Sequence, residues 1–390
     1  MEVYLDNSST TFPKPKQVID SMYNYMLNIG GNSGRGNYSN SLQSNRYLYE
    51  AREIICDFFN YDSPSNVIFT SNVTISLNML IKGILKSGDH AITSSMEHNS
   101  VIRPLISCKE NLPIELDILK SNSSGFVDIN DLKSKINNKT KLVVITHASN
   151  VTGSIQDISS IGKICSKHNV FFIVDSSQSA GVLDINMKDI GANAIAFTGH
   201  KSLLGPQGIG GFILDSKFNS SCSSLLQGGT GSLSTSLEQP DFLPDKFECG
   251  TLNLPGIVGL AEAIKYINSI GLNTIYEHNH YLINYLLNGL LNIDGIIVYG
   301  DLSGKMLTTC ISINVNSLDA SELSYYLECD GIKTRSGLHC SPLAHETIGT
   351  YPTGTVRLSI SYFTTKEEID YTLITLKKLV LNIRSNLLNI

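Results

Sequence analysis

Between about residues 66 and 214 the chain alternates short β-branched runs with longer helical patterns, and this alternation restricts its fold more than any other feature. The runs are Val67–Thr70, His90–Thr93, Pro113–Leu116, Leu142–Thr146, Val170–Asp175, Ala194–Thr198 and Gly208–Leu214. Strands separated by helices predict an α/β fold, with a mainly parallel seven-stranded sheet flanked by helices on both faces. Such sheets bind ligands beyond the carboxyl ends of their strands. Helices are predicted earlier, over Lys16–Leu27 and Asn40–Asn60, around a glycine-rich loop at Gly30–Gly36. Ser216–Asn253 is long, polar and irregular, which a compact domain tolerates mainly when the loop has a job. It is expected to reach a partner or an active site.

A helical stretch then runs from Pro255 to about Ile293, interrupted at Gly271. Strand-like Ile296–Tyr299 and Thr309–Val315, a helix at Asp319–Glu328, Gly331–Thr334, Thr355–Ser359 and a last helix at Lys366–Leu387 follow. That order predicts a smaller α+β domain. A single core stops growing near roughly 250–300 residues, so the 390 residues are divided into a large domain, 15–255, and a small one, 256–390, joined by the N-terminal arm 1–14.

Charge and composition remove several classes of function. The net charge is −6 and the 29 Lys and Arg are scattered, so there is no footprint for nucleic acid. Apolar runs such as Val170–Val174 fall far short of the roughly 20 residues a bilayer span needs. Met1–Asp6 has neither a basic n-region nor an apolar h-region, which predicts a cytoplasmic protein. Eight cysteines without a CxxC pair suggest neither a zinc site nor a disulfide framework, and no metal is expected.

Several strand ends carry polar groups. Phe197-Thr-Gly-His-Lys201 offers an amine on a tight glycine-rich loop, although a surface lysine in a turn explains it as well. Ile173-Val-Asp175-Ser-Ser-Gln178 ends an apolar strand in a carboxylate that suits a protonated pyridine nitrogen or, more simply, a helix cap. Phe69-Thr-Ser-Asn-Val-Thr74 puts free amides and hydroxyls at a helix N-terminus, an anion site or ordinary capping; its spacing is not that of a nucleotide-binding loop. His98, in Glu97-His98-Asn99-Ser100, can stack over a ring, shuttle protons or merely begin a helix. Asn150, in Ser149-Asn150-Val-Thr-Gly153, reads equally as part of a turn. Arg335 and Arg357 can hold a carboxylate, and Cys340 on its short glycine loop can become a reactive thiolate; an inert thiol with surface arginines is the plainer account.

Taken together these motifs resemble the class V, fold-type I pyridoxal-phosphate enzymes, in the cysteine desulfurase and selenocysteine lyase branch. The likeness spans Tyr4-Leu-Asp-Asn7 with Thr10-Thr11, Gly34-Arg35-Gly36, Glu97-His98-Asn99, Asn150-Val-Thr-Gly153, Asp175 with Gln178, Gly199-His-Lys201, Gly250-Thr-Leu-Asn253 and Arg335 to Cys340. The resemblance implies that Lys201 forms a Schiff base with pyridoxal 5'-phosphate, Asp175 pairs with the ring nitrogen, and His98 stacks on the ring. It implies that Gln178 bonds the ring oxygen, while Val73 (through its backbone), Thr74, Thr198 and His200 cradle the phosphate. Thr251 is implied to reach the phosphate of a neighbouring subunit, hence a homodimer. Asn150 and Arg357 are implied to orient the substrate, with Arg335 as helper.

The implied activity converts L-cysteine to L-alanine, leaving a persulfide on Cys340 for a protein sulfur acceptor. L-selenocysteine is the rival substrate. A class V aminotransferase or β-elimination lyase, in which Cys340 is incidental, and a silent scaffold for a sulfur acceptor also remain open. The chain departs from the family's usual opening, which has alanines where Ser8 and Ser9 stand, and has Thr74-Ile75 in place of a Thr-Glu pair. Neither departure removes a group with a named chemical role. Ser236–Pro244 is most like a desulfurase-like subgroup.

Overall fold

The computed structural model describes residues 1–34 and 36–387, with side chains to Ile383, so Arg35 of the expected Gly34-Arg35-Gly36 motif lies outside the described residues. Its central sheet has seven strands, in the order Val67–Thr70, Gly210–Leu214, Ala194–Thr198, Phe171–Asp175, Thr140–Thr146, His90–Ser94 and Glu115–Leu119. Five run parallel to their neighbours, and Gly210–Leu214 lies antiparallel to the strands on both its sides. The outermost strand begins at Glu115, so Pro113 stays outside the ladder, as a residue without a backbone N–H should.

The central strands read as unbroken apolar runs because both faces are covered. Phe172 and Val174 belong to one buried core, whereas Phe171 and Ile173 belong to the other. Successive side chains on a strand point to opposite faces, so only apolar residues at every position bury both. The helices Lys16–Asn28, Ser39–Phe58, Ile158–Lys167 and Leu254–Ile270 cover the first face. Val73–Ile84 and Asn99–Asn111 cover the second.

A second sheet of four antiparallel strands has the order Arg335–Gly337, Thr355–Ser359, Cys310–Val315 and Ile296–Tyr299. Its core takes in Leu282 to Leu290 of the helix Leu272–Leu291, together with Ile369, Leu376 and Val380 of the last helix. Gly271, at φ +91°, ends one helix and admits the next. The first core takes in the helix before it and reaches Ile275 in the first turn of the next, and the second core begins on that next helix at Leu282.

The N-terminal arm crosses between the two sheets. Val3–Tyr4 pairs in parallel with Ile332–Lys333, and Ser359 donates its amide to Leu5 O at 2.7 Å. Farther on, Thr11 donates its amide to His200 O at 3.0 Å and its hydroxyl to Lys201 O at 2.9 Å. Among the described residues no helix is long and apolar enough to cross a membrane, and no cluster of His, Cys, Asp and Glu could hold a metal ion.

Candidate active site

Strand register sets the site. Thr146 lies opposite Asp175, so two polar groups finish neighbouring strands at one edge of the sheet. Thr70 and Thr198 both face Gly210 across the antiparallel pairs, which brings the turn before Val73–Ile84 beside Thr198. A Cβ on Gly210 would lie 2.8 Å from Phe197 O and 3.0 Å from Asn72 Cα, so this close approach requires glycine.

Asp175 is buried. Its carboxylate accepts the Ser177 amide at 2.9 Å and the Ser177 hydroxyl at 2.5 Å. Burial nevertheless raises its pKa, against the pull of Ser177 and of the Lys201 charge. The Lys201 amine is lowered to about 8, chiefly by burial and further by the Arg357 and Arg335 guanidiniums, with Asp175 and Cys340 opposing. Lys14 is also lowered to about 8 by burial, but its Nζ donates to His200 O at 2.6 Å.

His98 caps the helix Asn99–Asn111, its Nδ1 accepting the Ser100 amide at 3.0 Å. Burial, then the charges of Lys201, Arg335, Arg357 and Arg103, pull its pKa down to about 3. The ring is therefore neutral near pH 7, with its proton on Nε2. The preceding residue, Glu97, is fully buried; it accepts the Thr146 amide at 3.0 and 2.9 Å and the Ser94 hydroxyl at 2.6 Å, which fixes the His98 turn to the sheet.

His98, Thr74 and Cys340 line one cleft of about 430 Å³ with Asn99, Ser100 and Arg103. Cys340 is exposed, whereas burial pushes the Cys165 and Cys222 thiols up to about 12. His339 and Cys340 have φ of +48° and +60°, a left-handed backbone that non-glycine residues keep only when neighbours hold it. The holding groups are present: Asn99 donates its amide to Cys340 O at 2.8 Å, and Asn150 donates Nδ2 to His339 O at 2.7 Å. Ser341 Oγ donates to Asn150 Oδ1 at 2.8 Å. The amide of Asn150, expected to orient substrate, is thus engaged with the cysteine turn.

Arg357 is almost wholly buried and donates to Asn150 O at 3.0 Å, Asp6 Oδ1 at 3.0 Å and Ser9 Oγ at 2.9 Å. Its Nε has no partner among the described residues. Arg335 donates to Ser9 Oγ at 3.0 Å and lies 3.7 Å from Cys340 Sγ. Gln178 donates Nε2 to Ser8 O at 3.1 Å. Asp6, Ser9 and Glu97 have no role that the sequence shows: the motif Tyr4–Asn7 with Thr10-Thr11 carries no local sign that the arm crosses to the arginines.

Pyridoxal phosphate fits these residues on one test. Among the described residues Thr198 Oγ1 and His200 Nδ1 are buried without a partner, a costly arrangement unless a ligand completes it. Thr198 adjoins, across Gly210, the N-terminus of Val73–Ile84, whose first amides lack intrahelical partners. Thr198→Val is expected to weaken cofactor retention about 10-fold, measured by equilibrium dialysis; undiminished retention would remove Thr198 from the cradle. Thr251 does not line the Cys340 cleft. It is exposed and lines a separate cleft with Thr70, Ser71 and Asn253.

A family model described as aminotransferase class-V matches residues 3–372. The chain belongs to the class-V aminotransferase family. It is a pyridoxal-phosphate-dependent family. A protein of Methanothermobacter thermautotrophicus named probable cysteine desulfurase is 36% identical over 94% of this chain and 92% of its own. One of the same name from Borreliella burgdorferi is 33% identical over 97% and 92%. A solved apo structure of a cysteine desulfurase from Thermococcus onnurineus superposes with a TM-score of 0.93 at 32% identity, covering 98% of this chain and 95% of the other. The class-V fold therefore holds throughout the chain.

Proposed function

We propose that this class-V chain is a cysteine desulfurase, which converts L-cysteine to L-alanine and keeps the sulfur as a persulfide on Cys340. The observation that carries the reading is an exposed cysteine, Cys340, whose own carbonyl and that of His339 are fastened in the cleft of His98 and whose sulfur is set against Arg335. The relatives named cysteine desulfurase support the same substrate.

In this reading Arg357 orients the substrate carboxylate, with Nε and the remaining proton of Nη1 left for the anion. The cofactor, when bound, supplies an electron sink for the pair released from Cα. Asp175 holds the proton of the ring nitrogen, and that positive partner offsets the cost of burying its carboxylate. His98, neutral and flat, packs on the ring. Val73 and Thr74, with Thr198 and His200, hold the phosphate, and Gln178 bonds the ring oxygen. Lys201 would hold the cofactor through its aldehyde, and its amine, lowered to about 8, would take the Cα proton. The Cys340 thiolate then bonds to the substrate sulfur as the Cβ–S bond breaks. The electron pair of that bond and one proton go to Cβ, and the proton held by Lys201 returns to Cα with the pair the sink had taken, which yields alanine.

Purified protein given L-cysteine should release alanine together with an equal amount of sulfur recovered by reductant; no alanine would overturn the reading. L-selenocysteine suits the same groups, and the ratio of the two rates separates them. We further infer a homodimer in which Thr251 completes the neighbouring site, a cytoplasmic location, a protein sulfur acceptor, and a division into a large domain, 15–255, and a small one, 256–390, to which the arm 1–14 belongs. Sedimentation of the holoenzyme checks the dimer.

Protonation gives a separate expectation. An amine lowered to about 8 loses its proton above that value, and only the free amine attacks an aldehyde. Uptake of pyridoxal phosphate by the cofactor-free chain, followed by absorbance, should therefore rise with pH and level off above about 8. A continued climb toward the ordinary lysine value of 10.5 would contradict the buried environment described for Lys201.

A further inference from the structure

Arg335 and Arg357 lie directly opposite each other on adjacent antiparallel strands. Like charges in that position repel unless something stands between them. Ser9 does: its Oγ accepts from Arg335 Nη1 at 3.0 Å and Arg357 Nη2 at 2.9 Å, and donates to Asp6 Oδ1 at 2.7 Å. A hydroxyl has one proton and two acceptor positions, so every hydrogen-bonding position of Ser9 is filled. The second Nη of Arg335 is thereby directed toward Cys340 Sγ, 3.7 Å away. Two guanidiniums face one carboxylate, which leaves one positive charge unbalanced beside the sulfur.

We propose that Ser9 is a positioning residue that joins the two arginines into one anion seat and holds Arg335 against Cys340. The inference rests on the desulfurase reading for its purpose, since that seat would hold an amino-acid carboxylate beside the attacking sulfur. Its geometry stands without that reading. Arg357 keeps Asp6 and the Asn150 carbonyl when Ser9 is lost, whereas among the described residues Arg335 keeps no hydrogen-bond partner besides the thiol. Alanine at position 9 should consequently free Arg335 more than Arg357.

The test compares alkylation of Cys340 by anionic iodoacetate and neutral iodoacetamide in the full chain as purified, read by peptide mass spectrometry. Exposed Cys329 serves as the internal reference. A guanidinium held beside the sulfur favours the anionic reagent, so the iodoacetate-to-iodoacetamide rate ratio at Cys340 should fall about 3- to 10-fold in Arg335→Gln and in Ser9→Ala. Ser9→Thr, which keeps the hydroxyl, should retain the wild-type ratio. A purely structural role for Ser9 would alter both reagents equally. If Ser9→Ala keeps the ratio while Arg335→Gln lowers it, the hydroxyl does not position Arg335 and the proposal fails. If neither variant lowers it, Arg335 does not face the sulfur and the proposal fails as well. Absence of alanine from wild-type protein and L-cysteine would instead sink the desulfurase reading, because the alkylation ratio requires no substrate.

Discussion

Lys201→Ala is expected to lower alanine release from L-cysteine by about 10⁴-fold or more, because the change removes both the covalent holder of the cofactor and the base at Cα. Amine chemistry alone does not single this residue out. Lys14 is lowered to about 8 by the same burial. The difference lies in surroundings: Lys14 donates to a backbone carbonyl, whereas Lys201 sits in the field of Asp175, Arg357, Arg335 and Cys340. Borohydride reduction of the loaded protein, followed by peptide mapping, should place the cofactor on the Lys201 peptide, and on no peptide in the variant. Recovery of the label on Lys14 would transfer the role and end the assignment.

Cys340→Ser is expected to behave differently. Cofactor retention should stay at the wild-type level, because no hydrogen bond of the Cys340 turn requires its sulfur other than the contact with Arg335. Sulfur release should fall about 10²- to 10³-fold, since a hydroxyl is a far weaker nucleophile than a thiolate and cannot store the sulfur as a persulfide. Mass spectrometry after one turnover should find 32 Da, roughly one added sulfur, on the wild-type Cys340 peptide and none on the variant. Equal release of alanine and sulfide by the two proteins would make the cysteine incidental. Pyruvate as product would point to β-elimination on the same framework.

These expectations draw unequally on the sequence. The seven-stranded sheet was legible because a strand buried on both faces must be apolar along its length, and Phe171–Asp175 and Ala194–Thr198 are apolar up to their last residue. The helix starts carrying His98 and Val73 were legible for a similar local reason, a polar cap closing an apolar run. The reversed strand Gly210–Leu214 was not, since pairing direction leaves no mark on the alternation of a fully buried segment.

The order and spacing of Lys201, Asp175, His98 and Cys340 are properties of the sequence, and with the class-V family they determine which chemistry the chain is equipped to attempt. What only the tertiary structure decided is how the arginines are used. Arg335 and Arg357 face each other solely because their strands pair in that register. Asp6 and Ser9 meet them solely because the arm crosses from the small sheet to the lysine loop. Residues separated by 326 and 348 positions share one hydroxyl there. Local propensity acts over a few residues, whereas such contacts are created by packing, so the anion seat beside Cys340 came into view only in the fold.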